Sequence, residues 1–294
     1  MHHFFQLCIV ETVADVYSRF KAQLSKSYEP NENEQIIILA FQEVMNYRRI
    51  DLSLNKDEKL EENQIKSFDK ILTALNTGKP IQYVLGNAWF YGMNIMVNKH
   101  VLIPRRETEE LVDWIVKDIE AAIIKPRKIL DVCTGSGCIA LALKKAFPEV
   151  EVIAIDISDK ALEVARYNAI KENLEIKFMQ IDALDIILDI HPDIIVRNPP
   201  YVMFSEKAKM HQRVTEYEPS SALFVSDNDS LIFYEKIAEW GSKFLIRGGN
   251  LYFEINETMG IEISELLKRL GYLEPILKKD LQEKDRMFRA RTKL

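Results

Sequence analysis

The chain has 294 residues, of which 47% are hydrophobic, so it is long enough for one large domain or two domains of ordinary size. Its formal net charge of −6 at pH 7 argues against the continuous basic surface that DNA- and RNA-binding enzymes use, although a local basic patch stays open. The three cysteines, Cys8, Cys133 and Cys138, provide neither an even disulfide framework nor metal-ligand spacing with the histidines. We therefore expect no metal site, and a reducing, cytoplasmic environment.

The start of the chain does not resemble a targeting or membrane segment. The apolar stretch FFQLCIV is short and lacks the basic flank and the cleavage pattern of a signal peptide. No run elsewhere approaches the roughly 20 apolar residues that a membrane span needs, so no membrane partner is expected.

Residues 1–87 predict a small helical domain. The segments ETVADVYSRFKAQL, ENEQIIILAFQEVM and KDEKLEENQIKSFDKILTALNTG repeat apolar residues at steps of three and four. This part contains no glycine loop and no cluster of polar residues that would indicate chemistry, so binding a partner is its expected role. Residues 88–104 follow, rich in aromatic and β-branched residues, and predict an extended hairpin or linker.

From residue 105 to residue 294, strand and helix patterns alternate. Strands are predicted at 128–132, 151–156, 175–182, 193–196, 250–255 and 272–277. Helical patterns at 138–147, 159–172, 229–246 and 257–270 separate most of them. This alternation indicates an α/β domain with a doubly wound, Rossmann-like parallel sheet.

The segment ILDVCTGSGCIALAL predicts a strand, a tight glycine turn and the start of a helix. Gly135 and Gly137 allow backbone amides to approach a ligand at the N-terminus of that helix. With Ala140 and Asp156, the segment also matches the fingerprint of dinucleotide-binding enzymes. The glycine turn alone therefore leaves an NAD-dependent oxidoreductase open.

Three acidic residues end three successive predicted strands, namely Asp131, Asp156 and Asp182. Asp131 beside the turn would repel a pyrophosphate but suits a ligand with an ammonium or sulfonium group, such as S-adenosylmethionine. Asp156 can accept hydrogen bonds from both ribose hydroxyls, and Asp182 can accept one from the adenine amino group. The acids therefore favour S-adenosylmethionine over a nicotinamide cofactor.

The segment IIVRNPPYV places Asn198, Pro199, Pro200 and Tyr201 directly after the fourth predicted strand. The prolines have no N–H, so neither a strand nor a helix continues, and a rigid loop forms at the sheet edge where ligands bind. The Asn198 side-chain oxygen and the Pro199 carbonyl can accept both N–H bonds of a planar amide or base amine. They would aim its nitrogen at the cofactor's methyl group, with Tyr201 covering the flat group.

The chain resembles the peptide chain release factor glutamine methyltransferases over most of its length. The resemblance rests on PIQYVLG, FYG, VLIPRRETEELVDWIV, ILDVCTGSGCIALAL, RNPPY, YEPSSALF with YEKI, and KDLQEKDRMFRA. It implies a class I S-adenosylmethionine-dependent methyltransferase domain and an N-terminal helical domain that helps recognise the release factor. The implied reaction is methylation of the side-chain amide nitrogen (N5) of the glutamine in the Gly-Gly-Gln motif of release factors.

The resemblance also implies roles for individual residues. The cofactor would be held by Asp131, Cys133, Thr134, Gly135, Ser136, Gly137, Asp156, Asp182, Ala183 and Asn198. The glutamine would be held by Asn198, Pro199, Pro200 and Tyr201, with Asn198 and Pro199 as the catalytic residues.

The sequence departs from the family at Cys133, which replaces the first glycine of the turn, at Arg106, which replaces a proline, and at Arg197, where a small residue is usual. Two other substrates stay open, a glutamine of a ribosomal protein and an exocyclic amine of a nucleic acid. A protein that binds the cofactor without catalysis is a further alternative. The expected enzyme is a monomer that acts on a protein and has no direct nucleic-acid partner.

Overall fold

The computed structural model describes residues 11–293 of the chain. The segment FFQLCIV with Cys8 lies outside these residues. The chain divides into two compact units, the first ending at Gly86 and the second beginning at Asn87. Neither unit has, within the described residues, a helix long and apolar enough to cross a membrane.

The first unit is helical, as its apolar periodicity predicts. Its described residues form the helices α1 (Val13–Leu24), α2 (Pro30–Met45), α3 (Arg49–Leu54), α4 (Glu62–Asn76) and α5 (Ile81–Leu85). Three fully buried rings, Phe20, Phe41 and Phe68, pack at the centre, with ring centroids 5.9 Å apart for Phe20–Phe68 and 4.5 Å for Phe41–Phe68. Burial of one apolar stripe per helix accounts for this bundle.

The second unit contains three β-sheets and the remaining helices. Its strands are β1 (Asn87–Phe90), β2 (Met93–Met96), β3 (Lys128–Val132), β4 (Glu151–Asp156), β5 (Lys177–Gln180), β6 (Ile194–Arg197), β7 (Val202–Met203), β8 (Phe224–Val225), β9 (Asn250–Glu254), β10 (Leu273–Lys279) and β11 (Asp285–Arg291). Its α-helices are α6 (Arg106–Ala121), α7 (Cys138–Ala146), α8 (Asp159–Lys171), α9 (Gln212–Tyr217), α10 (Ser220–Leu223), α11 (Ile232–Phe244) and α12 (Gly260–Arg269). Short 3-10 helices span Phe204–Lys209 and Asp227–Asp229.

The central sheet has seven strands in the order β10-β11-β9-β6-β3-β4-β5. Strands β9, β6, β3, β4 and β5 are parallel to one another, so their C-terminal ends share one edge. Strand order reverses between β3 and β6, because β4 and β5 lie on one side of β3 and β6 lies on the other. A ligand crevice is expected at this reversal.

The two final strands of the sheet differ from the prediction of a purely parallel sheet. β11 pairs antiparallel with both β9 and β10. The five residues from Asp280 to Lys284 connect β10 to β11, and a connection this short permits only an antiparallel pair. The sequence prediction placed a strand at 272–277, which corresponds to β10, but predicted none over Asp285–Arg291, where β11 lies.

The unit also has an antiparallel hairpin at its start. β1 and β2 pair from Asn87↔Met96 to Phe90↔Met93, and Gly92 adopts φ +74° in the turn. The side-chain amide of Asn168 in α8 donates to the carbonyl of Met96 (3.0 Å), and its oxygen accepts from the Met96 N–H (2.7 Å). These bonds hold the hairpin against the sheet domain to which it leads.

Candidate active site

A cavity of about 360 Å³ opens at the C-terminal edge of the sheet, where the strand order reverses. Its wall contains residues that follow β3, β4, β5 and β6. Of the predicted site residues, the wall includes Cys133, Thr134, Gly135, Ser136, Asp156, Asp182, Ala183, Asn198 and Pro200. Residues that are distant along the chain therefore meet at one site.

The glycine turn between β3 and α7 has the tight geometry that its sequence predicts. Gly135 and Gly137 adopt φ values of +56° and +82°, a region that favours glycine. Cys133 also lies in this region, at φ +61°, which explains why a glycine is usual at its position in the family that the sequence resembles. The Thr134 N–H donates to the Ile155 carbonyl (3.0 Å), which ties the turn to β4.

Asp156 at the end of β4 bridges two loops at the cavity wall. One carboxylate oxygen accepts from the Gly135 N–H and the other from the Ser158 N–H, both at 2.9 Å. Burial raises the pKa of this carboxyl above its usual value, and the backbone hydrogen bonds act in the opposite direction. Asp182 has a similar local arrangement, since its Oδ1 accepts from the Leu184 N–H at 2.9 Å.

Asp131 has a different position from the one expected. It is fully buried beneath the turn and does not belong to the cavity wall. The Thr134 hydroxyl donates to its Oδ2 at 2.6 Å, and burial raises the pKa of Asp131 to about 7. The buried Asp131 carboxylate therefore supports the turn through Thr134 from behind the cavity wall.

Gly137, Pro199 and Tyr201 also lie outside the cavity wall. Gly137 is the N-cap of α7 and packs against Ala165, 3.1 Å from the position that a Cβ would occupy. Pro199 is buried, and the Tyr201 hydroxyl donates to Glu254 Oε1 at 3.0 Å. Pro200 is the proline of this loop that faces the cavity.

The Asn198 side chain is fixed by a residue that the sequence prediction missed. Its Nδ2 donates to Oγ1 of Thr108 in α6 at 3.0 Å. The Thr108 hydroxyl in turn donates to Glu254 Oε2 at 2.6 Å. Because the amide is planar, the oxygen Oδ1 of Asn198 is directed away from Thr108. The oxygen is thus the amide atom available to accept a hydrogen bond from a ligand.

Further residues that the sequence prediction did not assign to the site complete the wall, and most of them belong to two segments, 100–108 and 221–233. The added residues are His100, Val101, Leu102, Pro104, Arg105, Thr108, Cys138, Ile139, Ile157, Ser158, Ala161, Leu184, Ser221, Ala222, Phe224 and Phe233. Buried Glu218 joins the two segments, since it accepts from the Ile103 N–H at 3.1 Å and pairs with Arg105. The motif signals were present, in VLIPRRETEEL and YEPSSALF, but separation in the sequence hid their contact.

The two arginines that depart from the family pattern, Arg197 and Arg106, occupy defined positions in the structure. The Arg197 guanidinium is fully buried and lies over the ring of Phe233, 4.6 Å from its centroid. Arg106 is the first residue of α6, a position at which proline is favoured because its missing N–H is not needed there. Asn198 lies in the cavity wall despite these two departures from the family pattern.

The cavity fits the S-adenosylmethionine that the sequence predicts. A Cβ added to Gly135 would meet no atom within 4 Å, so the turn leaves room for a ligand against its backbone. The carboxylates of Asp156 and Asp182 face the same space and accept hydrogen bonds only, as ribose hydroxyls and an adenine amino group require. Within residues 11–293, no group of His, Cys, Asp and Glu side chains is arranged to hold a metal ion.

The parallel sheet, the glycine turn, the strand-end carboxylates and the Asn-Pro-Pro-Tyr loop define a class I S-adenosylmethionine-dependent methyltransferase. Family models agree, since the Methyltransferase small domain matches residues 108–217 and the PrmC N-terminal domain matches residues 15–86. A methyltransferase structure from Pyrococcus furiosus has the same fold, with a TM-score of 0.50, 16% identity, and coverage of 69% of this chain and 90% of that chain.

Two curated relatives show the family. The release factor glutamine methyltransferase of Flavobacterium psychrophilum is 44% identical over 93% of this chain and 96% of its own length. That of Bacteroides thetaiotaomicron is 40% identical over 92% of this chain and 96% of its own length. The chain belongs to the release factor glutamine methyltransferase family.

Proposed function

We propose that this enzyme methylates the side-chain amide nitrogen (N5) of the glutamine in the Gly-Gly-Gln motif of peptide chain release factors. The observation that carries the proposal is the fixed orientation of Asn198 at the cavity wall, with its Nδ2 held by Thr108 at 3.0 Å and its oxygen available. The names of the relatives support the substrate, because each is called a release factor glutamine methyltransferase.

An amide nitrogen is a weak nucleophile, since its lone pair is delocalised into the carbonyl. In this proposal the Asn198 oxygen at the cavity wall accepts from one of its N–H groups and directs the lone pair into the cavity. The Pro199 carbonyl, the second acceptor that the sequence predicts, belongs to a residue behind the wall. Positioning of this kind contributes up to about 7–11 kcal/mol in well-oriented systems. Fixed acceptor dipoles add stabilisation as positive charge develops on the nitrogen. Pro200 and Tyr201 hold the loop that carries both acceptors.

In this proposal, bound S-adenosylmethionine supplies an electrophilic methyl group on its sulfonium. Gly135 and Ser136 would lie against the cofactor through the turn, and Asp156 would accept from the ribose hydroxyls, since all three border the cavity. Asp182 and Ala183, also in the wall, would border the adenine. Asp131 and Gly137 lie behind the cavity wall and hold the turn in its conformation, and Thr134 in the wall is hydrogen-bonded to Asp131 through its hydroxyl.

We propose the domain roles that the sequence predicts, with residues 1–87 recognising the release factor, 88–104 as hairpin and linker, and 105–294 as the methyltransferase domain. The enzyme acts in this proposal as a cytoplasmic monomer on a protein rather than on a nucleic acid. The helical bundle is consistent with the recognition role, since its apolar residues pack into a core of their own.

The test is methyl transfer from labelled S-adenosylmethionine to a purified release factor, compared with the same factor carrying Gln→Ala in its Gly-Gly-Gln motif. Wild-type enzyme and Asn198→Ala are assayed with both factors, and cofactor binding is measured separately by calorimetry. Label that requires both the glutamine and Asn198 supports the proposal. Transfer instead to ribosomal protein or to RNA, with no label on the release factor, would overturn it.

A further inference from the structure

The carboxylate of Glu254 lies at the centre of a buried chain of hydrogen bonds that ends at Asn198. Glu254 is the last residue of β9, and it is 1% exposed. Its Oε2 accepts from the Thr108 hydroxyl at 2.6 Å, and its Oε1 accepts from the Tyr201 hydroxyl at 3.0 Å. Thr108 is 2% exposed and accepts from Asn198 Nδ2 at 3.0 Å.

The direction of every hydrogen bond in this chain follows from the carboxylate. An ionised carboxylate can only accept, so the single hydroxyl proton of Thr108 must point to Glu254. The Thr108 oxygen then has only lone pairs to offer its other neighbour. That neighbour, the Asn198 amide, must therefore present its NH₂ group to Thr108 and its oxygen to the opposite side.

We propose that Glu254 and Thr108 are positioning residues that fix which end of the Asn198 amide faces the substrate. The inference rests on the proposed function of Asn198 as an acceptor for the substrate amide. A flipped amide would place an NH₂ group against the NH₂ group of the substrate, where two donors meet and neither hydrogen bond forms. The two flip states differ little in shape, so packing alone would not choose between them.

Because this chain of hydrogen bonds is buried, one orientation of the Asn198 amide is strongly favoured over the flipped one. A wrongly directed hydrogen bond inside the chain would leave a donor or acceptor unpaired and shielded from water, which is far more costly than at the surface. Tyr201 adds to the effect, because its hydroxyl donates to the second oxygen of the same carboxylate and joins the other end of the Asn-Pro-Pro-Tyr loop to Glu254. One carboxylate thus holds both ends of the loop.

The variants that test this are Thr108→Val, which has nearly the same shape without the hydroxyl, and Thr108→Ser, which restores it. Thr292→Val is the control for loss of a threonine hydroxyl away from the site, because the Thr292 hydroxyl donates an exposed hydrogen bond to the Ile246 carbonyl at 2.7 Å, at the other end of the sheet. We expect Thr108→Val to lower kcat for the release factor about tenfold or more. The dissociation constant of S-adenosylmethionine is expected to stay within about twofold of wild type.

Thr108→Ser is expected to recover most of the lost kcat, and Thr292→Val to change the melting temperature without changing kcat. A lowered kcat in Thr292→Val equal to that of Thr108→Val would show that lost stability is the cause. A wild-type kcat in folded Thr108→Val would overturn the positioning role directly.

A second readout needs no substrate, so it separates this inference from the proposed function. The two Nδ2 protons of Asn198 are followed in ¹H–¹⁵N spectra and assigned by their loss in Asn198→Asp. We expect the hydrogen-bonded proton to shift in Thr108→Val and to keep its position in Thr108→Ser. If Thr108→Val leaves both signals unchanged, the inference fails even where the release factor is methylated. If the signals respond but the release factor is not methylated, the substrate assignment fails instead.

Discussion

The two glycines of the turn after β3 are predicted to respond differently to the same small change. Gly135 and Gly137 both have positive φ values, +56° and +82°. A Cβ at Gly135 would meet no atom within 4 Å, whereas a Cβ at Gly137 would lie 3.1 Å from Ala165 Cβ and 3.4 Å from Ala165 Cα. Alanine substitution therefore separates backbone strain from steric contact.

The magnitudes follow from these two terms. Placing alanine in a left-handed conformation costs about 1–2 kcal/mol, which both variants share. Crowding a well-packed position adds about 1–3 kcal/mol, and this term applies only to Gly137→Ala. We thus expect the free energy of unfolding to fall by about 1–2 kcal/mol for Gly135→Ala and by about 2–5 kcal/mol for Gly137→Ala.

Cofactor affinity is expected to show the reverse order. The methyl group in Gly135→Ala would occupy the space beside the turn where S-adenosylmethionine lies in the proposed function, so its binding should weaken about tenfold or more. Gly137 faces α8 and not the cavity, so Gly137→Ala that is still folded should bind the cofactor nearly as wild type does.

Scanning calorimetry gives the melting temperatures of the full-length variants, and titration calorimetry below the lowest of them gives the affinities. Each kcal/mol corresponds to about 2–4 °C for a unit of this size. The reasoning would be refuted if Gly135→Ala lost as much stability as Gly137→Ala, or if it bound S-adenosylmethionine with unchanged affinity.

Three further predictions concern buried acids. Burial raises the pKa of Asp131 to about 7, so the folded protein binds a proton that the unfolded chain releases near pH 4, and stability falls as pH rises through this window. Calorimetry should show Asp131→Asn gaining stability relative to wild type across that window, and a constant difference would contradict it. Glu218→Ala removes the acceptor for Ile103 and Arg105, and should lower the free energy of unfolding by about 2 kcal/mol in chemical denaturation, with a smaller loss in Glu218→Gln. Burial raises the pKa of Glu254, and the hydrogen bonds from Thr108 and Tyr201 oppose the rise. Arg286 also opposes it and Glu107 adds to it, so kcat should fall with decreasing pH at a higher pH than an exposed glutamate would cause. Glu254→Gln should lack this acidic decline in a rate profile measured from about pH 5 to pH 8.

The sequence predicts the fold where local patterns are strong. The buried parallel strands are continuous apolar runs, as in β3, β4 and β6, and the structure places them within a residue or two of the predicted ranges. The strand β11 is not predicted from the sequence, because Met287, Phe288 and Ala290 alternate imperfectly with charged residues. β11 forms a hairpin with β10 across a five-residue connection, but its second partner, β9, lies more than 30 residues earlier and cannot be predicted from local sequence.

For the candidate site, too, short local motifs can be predicted from the sequence and long-range contacts cannot. The turn, Asp156 and the Asn-Pro-Pro-Tyr loop are visible because each is a short contiguous motif at a strand end. Thr108 lies in the segment VLIPRRETEEL, on which the family resemblance rests, but no local pattern shows that its hydroxyl meets Asn198, 90 positions later. The sequence identified Asp131 at the end of a strand, but it did not show that the side chain lies behind the cavity wall. The side chain is fully buried there, and only the three-dimensional register of β3 with its neighbours reveals this.

The two halves of the site also depend on the fold to different degrees. The turn that borders the cavity, where we propose the cofactor binds, is made by residues within one strand–turn–helix segment and its neighbour β4, with hydrogen bonds as local as Thr134 to Asp131. The Asn198 acceptor depends on residues 90 positions apart for its own hydrogen bond, and on a further link of 146 positions from Thr108 to Glu254. The acceptor's orientation therefore exists only when α6, β6 and β9 are docked together. A cofactor can be held by a local motif, whereas discrimination of an amide NH₂ group from other groups requires the assembled sheet.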